Sequence, residues 1–339
     1  MELNKNTEVQ LMRLTKENGH YIIQSIPNDD PFFRETIIIE ENGLVFGEPH
    51  YDICPGLRIE CEWDNSMIPL LEEYSIKYLV LNSSYGWRCK DYSFLSRIPL
   101  MKSLYVLSSS LIHINHIEHQ TELEELVLHG QIIDSLPINF GRFKKIKRLS
   151  CCGSEVNDSL FSCSTLTYLW IDELWKKEAF SLERLIHLKE LTIKNSSLSD
   201  IEFLNYLPEL TKLSLDNCRS IRDYESFSYH GQIRWLSLRG VIIRDLGFLR
   251  KMPELRILVI ETGNVKSIKP VKDLNKLRAF SLSATVMDHD LTPLLELPLL
   301  SMLWINNKRD YPYHINNHWD WDEYGVIRQG WLSEKSKQV

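Results

Sequence analysis

A recurring apolar spacing constrains this chain more than any other feature. The pattern L-x-x-L-x-L runs from Leu188 to Ile193 and recurs from Leu210 to Leu215. Alternation of apolar and other residues in the second half of each pattern is typical of a short strand with one buried face. Return of one pattern at a fixed, short period indicates a structure that stacks one small unit on the next.

The same pattern can be placed eleven times along the chain, and its starts follow one another at a nearly constant interval. One such unit cannot bury its apolar face alone, so we expect each unit to pack against its neighbours. The patterns start at Ile76, Met101, Leu123, Ile146, Leu166, Leu188, Leu210, Ile233, Leu255, Leu277 and Leu300.

The spacing resembles the 22-residue class of leucine-rich repeats found in protein-phosphatase regulators and bacterial internalins. The resemblance rests on the eleven patterns and on the returning half of several repeats, such as Leu198-x-Asp200-Ile201 and Ile243-x-Asp245-Leu246. It implies an α/β solenoid of horseshoe shape, with a parallel concave β-sheet and a convex side of mostly 3₁₀ or irregular turns. It is specific for the fold and implies no particular activity.

Four segments are predicted from where the repeats begin and end. Residues 1–72 are expected to form a β-rich N-terminal cap, because short β-prone runs flank an Asn42-Gly43 turn signal and the first repeat has an apolar end to cover. The repeats occupy residues 73–305. Residues 306–332, which hold six aromatic side chains, are predicted to form a C-terminal cap, and residues 333–339 a disordered tail.

No motif for catalysis or for cofactor binding is present. The chain has no G-x-S-x-G, P-loop, G-x-G-x-x-G or H-E-x-x-H sequence. Two histidine groups have the chemistry of metal ligands: His113 with His116 and His119, and His314 with His318. Core residues alternate with the first group, so we expect its histidines to face solvent. Aromatic residues surround the second group, so we expect its histidines to pack within the C-terminal cap. The sequence predicts a protein that is not an enzyme and needs no metal or cofactor.

The cysteine count and the hydropathy favour the cytoplasm. The seven cysteines are an odd number without C-x-x-C spacing, which is typical of reduced thiols that act as small apolar groups. No uncharged apolar run reaches the roughly eighteen residues of a membrane span. The net charge of −7 is spread over both signs and gives no global attraction to nucleic acid or membrane. We expect a monomer when the protein is free.

A basic column is predicted along one edge of the sheet. Side chains alternate along a strand, so the residues between the L positions are expected to line the concave face. The residue after the first L is basic in seven of the eleven repeats, and consecutive repeats near the C-terminus carry Arg234, Arg256 and Arg278. Such an edge either keeps the sheet solvated or faces acidic groups on a partner.

Apolar side chains occupy the next two outward columns near the C-terminal end. The L positions already supply the core, so these side chains are predicted to merge into one exposed patch across strands about 4.8 Å apart. Tryptophan beside arginine is typical of a protein interface. The alternative is that residues 306–332 cover the patch. The predicted partner-binding site comprises the three arginines with Trp235, Ile257, Val259, Met302, Trp304, Tyr168 and Trp170. Tyr168 and Trp170 stand between the apolar patch and a smaller group of Tyr78, Val80, Tyr105, Leu107 and Val127.

The sequence therefore favours a non-enzymatic scaffold that binds one protein on its concave face. The expected partner has an apolar surface with an acidic rim. One version is a stoichiometric inhibitor, such as an immunity protein that neutralises a toxin. The other is a regulatory or targeting subunit of a cytosolic enzyme, which the resemblance to phosphatase regulators suggests. A third hypothesis is a polyanion or nucleic-acid binder that uses the basic column. Nucleic acid is the less favoured ligand because acidic residues such as Glu124, Asp216 and Glu261 interrupt the surface.

Overall fold

The structure is a computed structural model in which the chain forms two compact units, Met1–Ser150 and Cys151–Val339. It describes residues 11–17, 20–25, 36–40, 43–47, 56–134, 136–153, 157–173, 184–224, 226–227, 230–306, 311, 313–315 and 332–334.

The first unit is built on parallel strands that recur once per repeat. In its sheet the strand order is β2-β1-β5-β6-β7-β8, and every neighbouring pair except β1 with β2 is parallel. The strands are β1 (Leu11–Glu17), β2 (His20–Ser25), β3 (Thr36–Glu40), β4 (Gly43–Gly47), β5 (Gly56–Ile59), β6 (Tyr78–Asn82), β7 (Ser103–Leu111), β8 (Glu125–Ile132) and β9 (Arg148–Cys152), which runs into the second unit.

The parallel strands begin earlier than the sequence predicted. Leu57 of β5 lies opposite Leu79 of β6, and Met12 of β1 lies opposite Leu57. Leu14 and Leu57 are almost fully buried. The segment 1–72 is therefore β-rich as expected, but part of it continues the sheet of the repeats. The pattern was missed because Cys54 stands where the first leucine belongs, one repeat before Ile76.

A separate hairpin of the first unit lies close to its turn signal but is shifted by one residue. Strands β3 and β4 pair antiparallel, with Glu40 opposite Gly43. Two residues therefore connect the strands, and Gly43 of the predicted Asn42-Gly43 turn already belongs to β4.

The second unit repeats the same parallel arrangement. Strands β10 to β16 follow one another in chain order, and the β10–β16 neighbours are parallel. The L positions fall in register: Leu236, Leu258 and Phe280 are neighbours and fully buried. The strands are β10 (Tyr168–Asp172), β11 (Glu190–Lys194), β12 (Lys212–Asp216), β13 (Trp235–Arg239), β14 (Ile257–Val265), β15 (Ala279–Val286), β16 (Met302–Ile305), β17 (Tyr313–Ile315) and β18 (Leu332–Glu334).

Short 3₁₀ segments occupy the returning half of the repeats, as predicted. A side-chain oxygen often opens such a segment by accepting a hydrogen bond from the amide two residues later, for example Asp245 from Gly247 at 2.9 Å and Ser267 from Lys269 at 3.0 Å. In the described residues the one α-helix is α1 (Ile68–Glu73), and the 3₁₀ segments are Asn65–Met67, Ser83–Tyr85, Ser93–Ser96, Ile114–His119, Phe140–Arg142, Asp158–Ser162, Glu202–Tyr206, Gly247–Lys251, Lys269–Asp273 and Thr292–Glu296.

The turns after four strands of the second unit share one conformation. Glu173, Asn195, Asn217 and Gly240 stand two residues after the last L and have φ values of 57°, 47°, 55° and 56°. Asparagine and glycine tolerate this left-handed region best. The Asn217 amide donates to Asn195 at 2.8 Å, and the Asn195 amide donates to Asp172 at 2.7 Å. This short ladder fixes the ends of β10 to β12 relative to one another.

Part of the predicted C-terminal cap is described. Tyr311 is buried, and its hydroxyl accepts a hydrogen bond from the Val286 amide at 2.9 Å. Strands β17 and β18 pair antiparallel, with His314 opposite Ser333. Ser333 and Glu334 are therefore in a strand, and the predicted disordered tail at 333–339 started too early. Most of residues 306–332 lie outside the described residues. The predicted alternative that they cover the apolar patch concerns this part of the chain.

Candidate functional site

The two outward columns predicted near the C-terminus are in register on β13 to β16. Alternation places them on the sheet face opposite the buried leucines, which we call the open face. The first column is Trp235, Ile257, Ala279 and Met302, and the second is Ser237, Val259, Ser281 and Trp304. The pairing of these strands is therefore confirmed residue by residue.

The exposure of the columns differs from the prediction. Ile257 is 0% exposed and Val259 is 8% exposed, whereas Trp235, Met302 and Trp304 are half-buried. Strands lie about 4.8 Å apart, so a large side chain on one strand covers a smaller one on the next. The predicted exposure of Ile257 was therefore wrong. Ile257 and Val259 lie between larger side chains and line the bottom of the cleft described below.

A cleft of about 570 Å³ opens on this face. Trp235 from β13 and Trp304 from β16 line it, with Val259 and Ser281 from the two strands between them. The volume lies within the range of sites that bind small molecules or inserted side chains, roughly 300 to 1,000 Å³. Trp235, Ile257, Val259 and Trp304 form the apolar part of the lining, where a partner side chain can lose its hydration against an aromatic or aliphatic surface.

A cation holds one of these tryptophans in place. The Lys212 ammonium lies 4.1 Å from the centre of the Trp235 ring and 3.2 Å from a Glu190 carboxylate oxygen. Lys212 is the register neighbour of Trp235 on β12, on the side away from β14. One ring face therefore contacts the lysine, and the cleft is on the other side. The sequence analysis considered only the apolar residues of these columns, so it did not predict a role for Lys212 or Glu190.

The three arginines of the basic column do not line the cleft. Arg234, Arg256 and Arg278 directly precede β13, β14 and β15 and are half-buried at the edge of the sheet. In the described part of the chain no carboxylate lies within ion-pair distance of Arg234 or Arg278. At Arg234 and Arg278 this edge therefore carries positive charge that the described residues of the second unit do not neutralise.

The same column is partly neutralised in the first unit. Glu124 is 3.7 Å from Lys102 and 2.6 Å from Lys147. The hydrogen bond from Lys147 is the main reason that the pKa of Glu124 lies below its ordinary value. The basic column is therefore not one continuous charged stripe.

Two charged residues of the cleft were not assigned to the site from the sequence, although Glu261 was recognised as an acidic residue of this surface. Arg239 ends β13, and Glu261 directly follows Ile260, the last L position of the repeat in β14. Both are exposed and both line the cleft. Both residues belong to the outward column directly after the last L. Continuing the alternation of each predicted strand by one residue would have placed their side chains on the open face.

The remaining aromatic predictions lie away from the cleft. Tyr168 and Trp170 are half-buried on β10, three strands before β13, and the Lys194 ammonium is 5.4 Å from the Trp170 ring centre. In the first unit Tyr78 is only 5% exposed and Val80 is fully buried, so their predicted exposure was wrong. The ring of Tyr78 packs edge-on against Tyr105 at 5.2 Å, which explains its burial.

The first histidine group does not converge on one point. The His113 and His116 rings are 6.2 Å apart, and His113 contacts Asp91 at 3.1 Å. Among the described residues no group of three or more His, Cys, Asp or Glu side chains is placed to hold a metal ion. His314 lies in β17, and His318 is outside the described residues.

Across the same described ranges, no helix has the length and apolar character that crossing a lipid bilayer requires.

Comparison with known proteins identifies the fold. No protein-family model matches the sequence, and no curated protein is similar to it. Among solved structures, the internalin InlF of Listeria monocytogenes superposes with a TM-score of 0.56 at 24% identity, over 68% of this chain and 67% of that chain. The chain has the leucine-rich repeat fold.

Two further solved structures also match. The functional domain of InlJ from Listeria monocytogenes matches 72% of this chain and 55% of its own at 16% identity, with a TM-score of 0.48. Internalin C2 of the same organism matches 60% of this chain and 79% of its own at 20% identity, with a TM-score of 0.43. At these identities the similarity concerns the fold and carries no activity.

Proposed function

We propose that this leucine-rich repeat protein is a non-enzymatic scaffold that holds one protein partner on the open face of its second unit. The observation that carries the proposal is the cleft between Trp235 and Trp304. Both indoles project from paired strands rather than from loops, so little conformational entropy is lost when a partner binds them. Tryptophans in a partly buried, well-supported surface are typical binding hot spots.

The charges around the cleft suggest the chemistry of the partner. Arg234 and Arg278 have no carboxylate neighbour among the described residues, so a partner with acidic groups around an apolar centre would complement this edge. Such rim charges mainly accelerate association and set the orientation of the complex. A partner of this kind differs from a nucleic acid because the apolar centre, rather than the charge, supplies most of the affinity.

We further propose that the complex is inhibitory and has a 1:1 ratio, as expected of an immunity protein that neutralises a toxin. The cleft between Trp235 and Trp304 has room for one partner segment, which supports one partner molecule per chain. An inhibitor needs no chemistry of its own, in agreement with a sequence that lacks the common catalytic motifs. Its action would be to cover the functional surface of the partner.

The test has two steps. The full chain is used as bait in its source cell, and each captured protein is purified and assayed alone. Its activity is then titrated with the wild-type chain, with a variant carrying Trp235→Ala and Trp304→Ala, and with Tyr105→Ala as an aromatic control from the first unit. We expect complete inhibition at one equivalent of wild type and of the control, and none with the double variant.

The other outcomes are informative. A partner that stays active in the complex but changes its substrate or location would show a regulatory subunit instead of an inhibitor. A partner that binds the double variant as tightly as wild type would contradict the assignment of the open face.

A further inference from the structure

Opposite charges on neighbouring strands pair regularly on the open face. The partners stand one repeat apart in the sequence, in the same or an adjacent outward column. Such lateral pairs keep a flat row of charges balanced without a partner protein. They are Glu125–Arg148, Glu190–Lys212 and Lys194–Asp216, with N···O distances of 3.2, 3.2 and 3.8 Å.

Arg239 and Glu261 depart from this rule. Leu238 lies opposite Ile260 in the ladder, so the two charged residues that follow are neighbours on β13 and β14. They stand one repeat apart in the sequence, as the paired residues do. Nevertheless no ion pair joins them, and in the described ranges neither has another oppositely charged side chain within ion-pair distance. Both are exposed and both line the cleft.

We propose that this cleft recognises a partner segment carrying two opposite charges beside one large apolar side chain. The apolar side chain enters between Trp235 and Trp304. An acidic side chain of the same segment pairs with Arg239, and a basic side chain pairs with Glu261. The inference rests on the proposed function and adds to it the chemistry of the partner at the cleft itself.

Charge complementarity selects this occupant over the simpler ones. A purely acidic segment or a nucleic-acid strand satisfies Arg239 but places negative charge next to Glu261. A purely basic segment satisfies Glu261 but is repelled by Arg239. An uncharged segment leaves both groups without a partner while it takes away part of their water, which is unfavourable. Only a segment with both charges complements both residues, and the order of its charges then fixes its orientation in the cleft.

The probe is a library of random linear peptides displayed on phage and selected against the immobilised full chain. Selected peptides are synthesised and titrated against the wild type, Arg239→Ser, Glu261→Gln and the control Arg250→Ser. Arg250 pairs with Asp273 at 3.4 Å in a 3₁₀ segment and does not line the cleft. Thermal unfolding of each variant shows whether it folds as the wild type does.

The expected peptides carry an aromatic or large aliphatic residue with an acidic residue on one side and a basic residue on the other. Each single cleft variant should weaken their binding about tenfold, whereas Arg250→Ser should not. A chain with Arg239→Glu and Glu261→Arg together keeps the charges but exchanges their places. Selection against this chain should return peptides with the opposite order of charges.

Several results would overturn the inference: peptides with charges of one sign, no enriched peptide at all, or full affinity for both single variants. Binding of single-stranded oligonucleotides that falls steeply with salt would show a polyanion site instead. If peptides need Trp235 and Trp304 but neither Arg239 nor Glu261, this inference fails and the proposed function stands. If neither tryptophan matters, the proposed function fails as well.

Discussion

The environment of Trp235 shows how single residues shape the open face. Its indole contacts an ammonium group, and that group belongs to the register neighbour Lys212. Glu190 holds the same lysine at 3.2 Å. A tryptophan that is held on one side needs less reordering when a partner binds the other side.

Replacing this lysine should therefore weaken binding without unfolding the protein. A cation–π contact at a partly exposed site contributes about 0.5–1 kcal/mol, so Lys212→Ala is expected to reduce partner affinity about two- to fivefold. The measurement is a titration with the native partner, and Trp fluorescence reports the change around the indole. Lys189→Ala, which removes an exposed lysine of the basic column, should bind as the wild type does.

Burial of His230 makes the free energy of unfolding depend on pH in a predictable direction. The residue is 3% exposed, neither ring nitrogen has a hydrogen-bond partner among the described residues, and burial lowers its pKa below the ordinary value of 6.5. The unfolded chain therefore binds a proton at a higher pH than the folded chain does. The stabilising effect of keeping His230 neutral is fully present above about pH 6.5 and is lost as the pH falls below it.

Urea unfolding at several pH values measures this effect. The free energy of unfolding should fall between about pH 6.5 and pH 5, and the fall should be smaller in His230→Leu. His187→Ala, at an exposed histidine 2.9 Å from Glu209, serves as the control. Equal pH dependence in the wild type and His230→Leu would show that His230 is not the responsible group.

Among the elements, β1 has the largest structural role that the sequence did not reveal. It adds a parallel strand beside β5 and buries Leu14 completely. Residues 11–17 alternate too weakly, and their partner strand starts after Cys54-Pro55 instead of a leucine. Strand pairing between distant segments depends on side chains in both strands, so neither segment alone predicts it.

A mutation in β1 should therefore destabilise the chain. Leu14→Ala removes a fully buried side chain, which commonly costs about 2–5 kcal/mol, so the urea midpoint should fall strongly. Thr15→Ala, at the half-buried neighbour, should have a much smaller effect. Deletion of residues 1–25 removes β1 and β2, exposes the edge of β5 and should cause aggregation on a sizing column. A monomeric deletion variant with an unchanged melting temperature would contradict this role.

The strands of the second unit show what a repeat pattern can and cannot predict. The pattern predicted that Trp235, Ile257 and Ala279 are register neighbours, since their spacing follows directly from the period. It did not predict that Ile257 is buried, because burial depends on the sizes of side chains on adjacent strands. It also did not assign Arg239 and Glu261 to the site, because their column lies just beyond the L-x-x-L-x-L pattern.

At the scale of the whole molecule, the charge is unevenly distributed. The chain carries a net charge of −7, yet Arg234, Arg256 and Arg278 form a row at the start of three adjacent strands. A local field of this kind can steer an acidic partner even when the molecule as a whole is negative. The effect is expected in the rate of association rather than in the lifetime of the complex.

Changing the three arginines to serine tests this steering. At low ionic strength the association rate constant should fall about tenfold and lose most of its salt dependence, while the dissociation rate changes little. The matched control replaces Arg244, Arg250 and Lys272 with serine, which alters the net charge equally outside the row. Stopped-flow or surface binding kinetics measure both variants. The same fall in both would attribute the effect to net charge alone.

The central claim is that the cleft between Trp235 and Trp304 carries most of the binding energy. The most direct measurement is calorimetric titration of the native partner with Trp235→Ala, Trp304→Ala and the control Tyr105→Ala, each checked for folding by circular dichroism. Each tryptophan variant should lose about 2 kcal/mol or more, roughly a thirtyfold loss of affinity, and Tyr105→Ala should lose much less. Wild-type affinity in both folded tryptophan variants would contradict the claim.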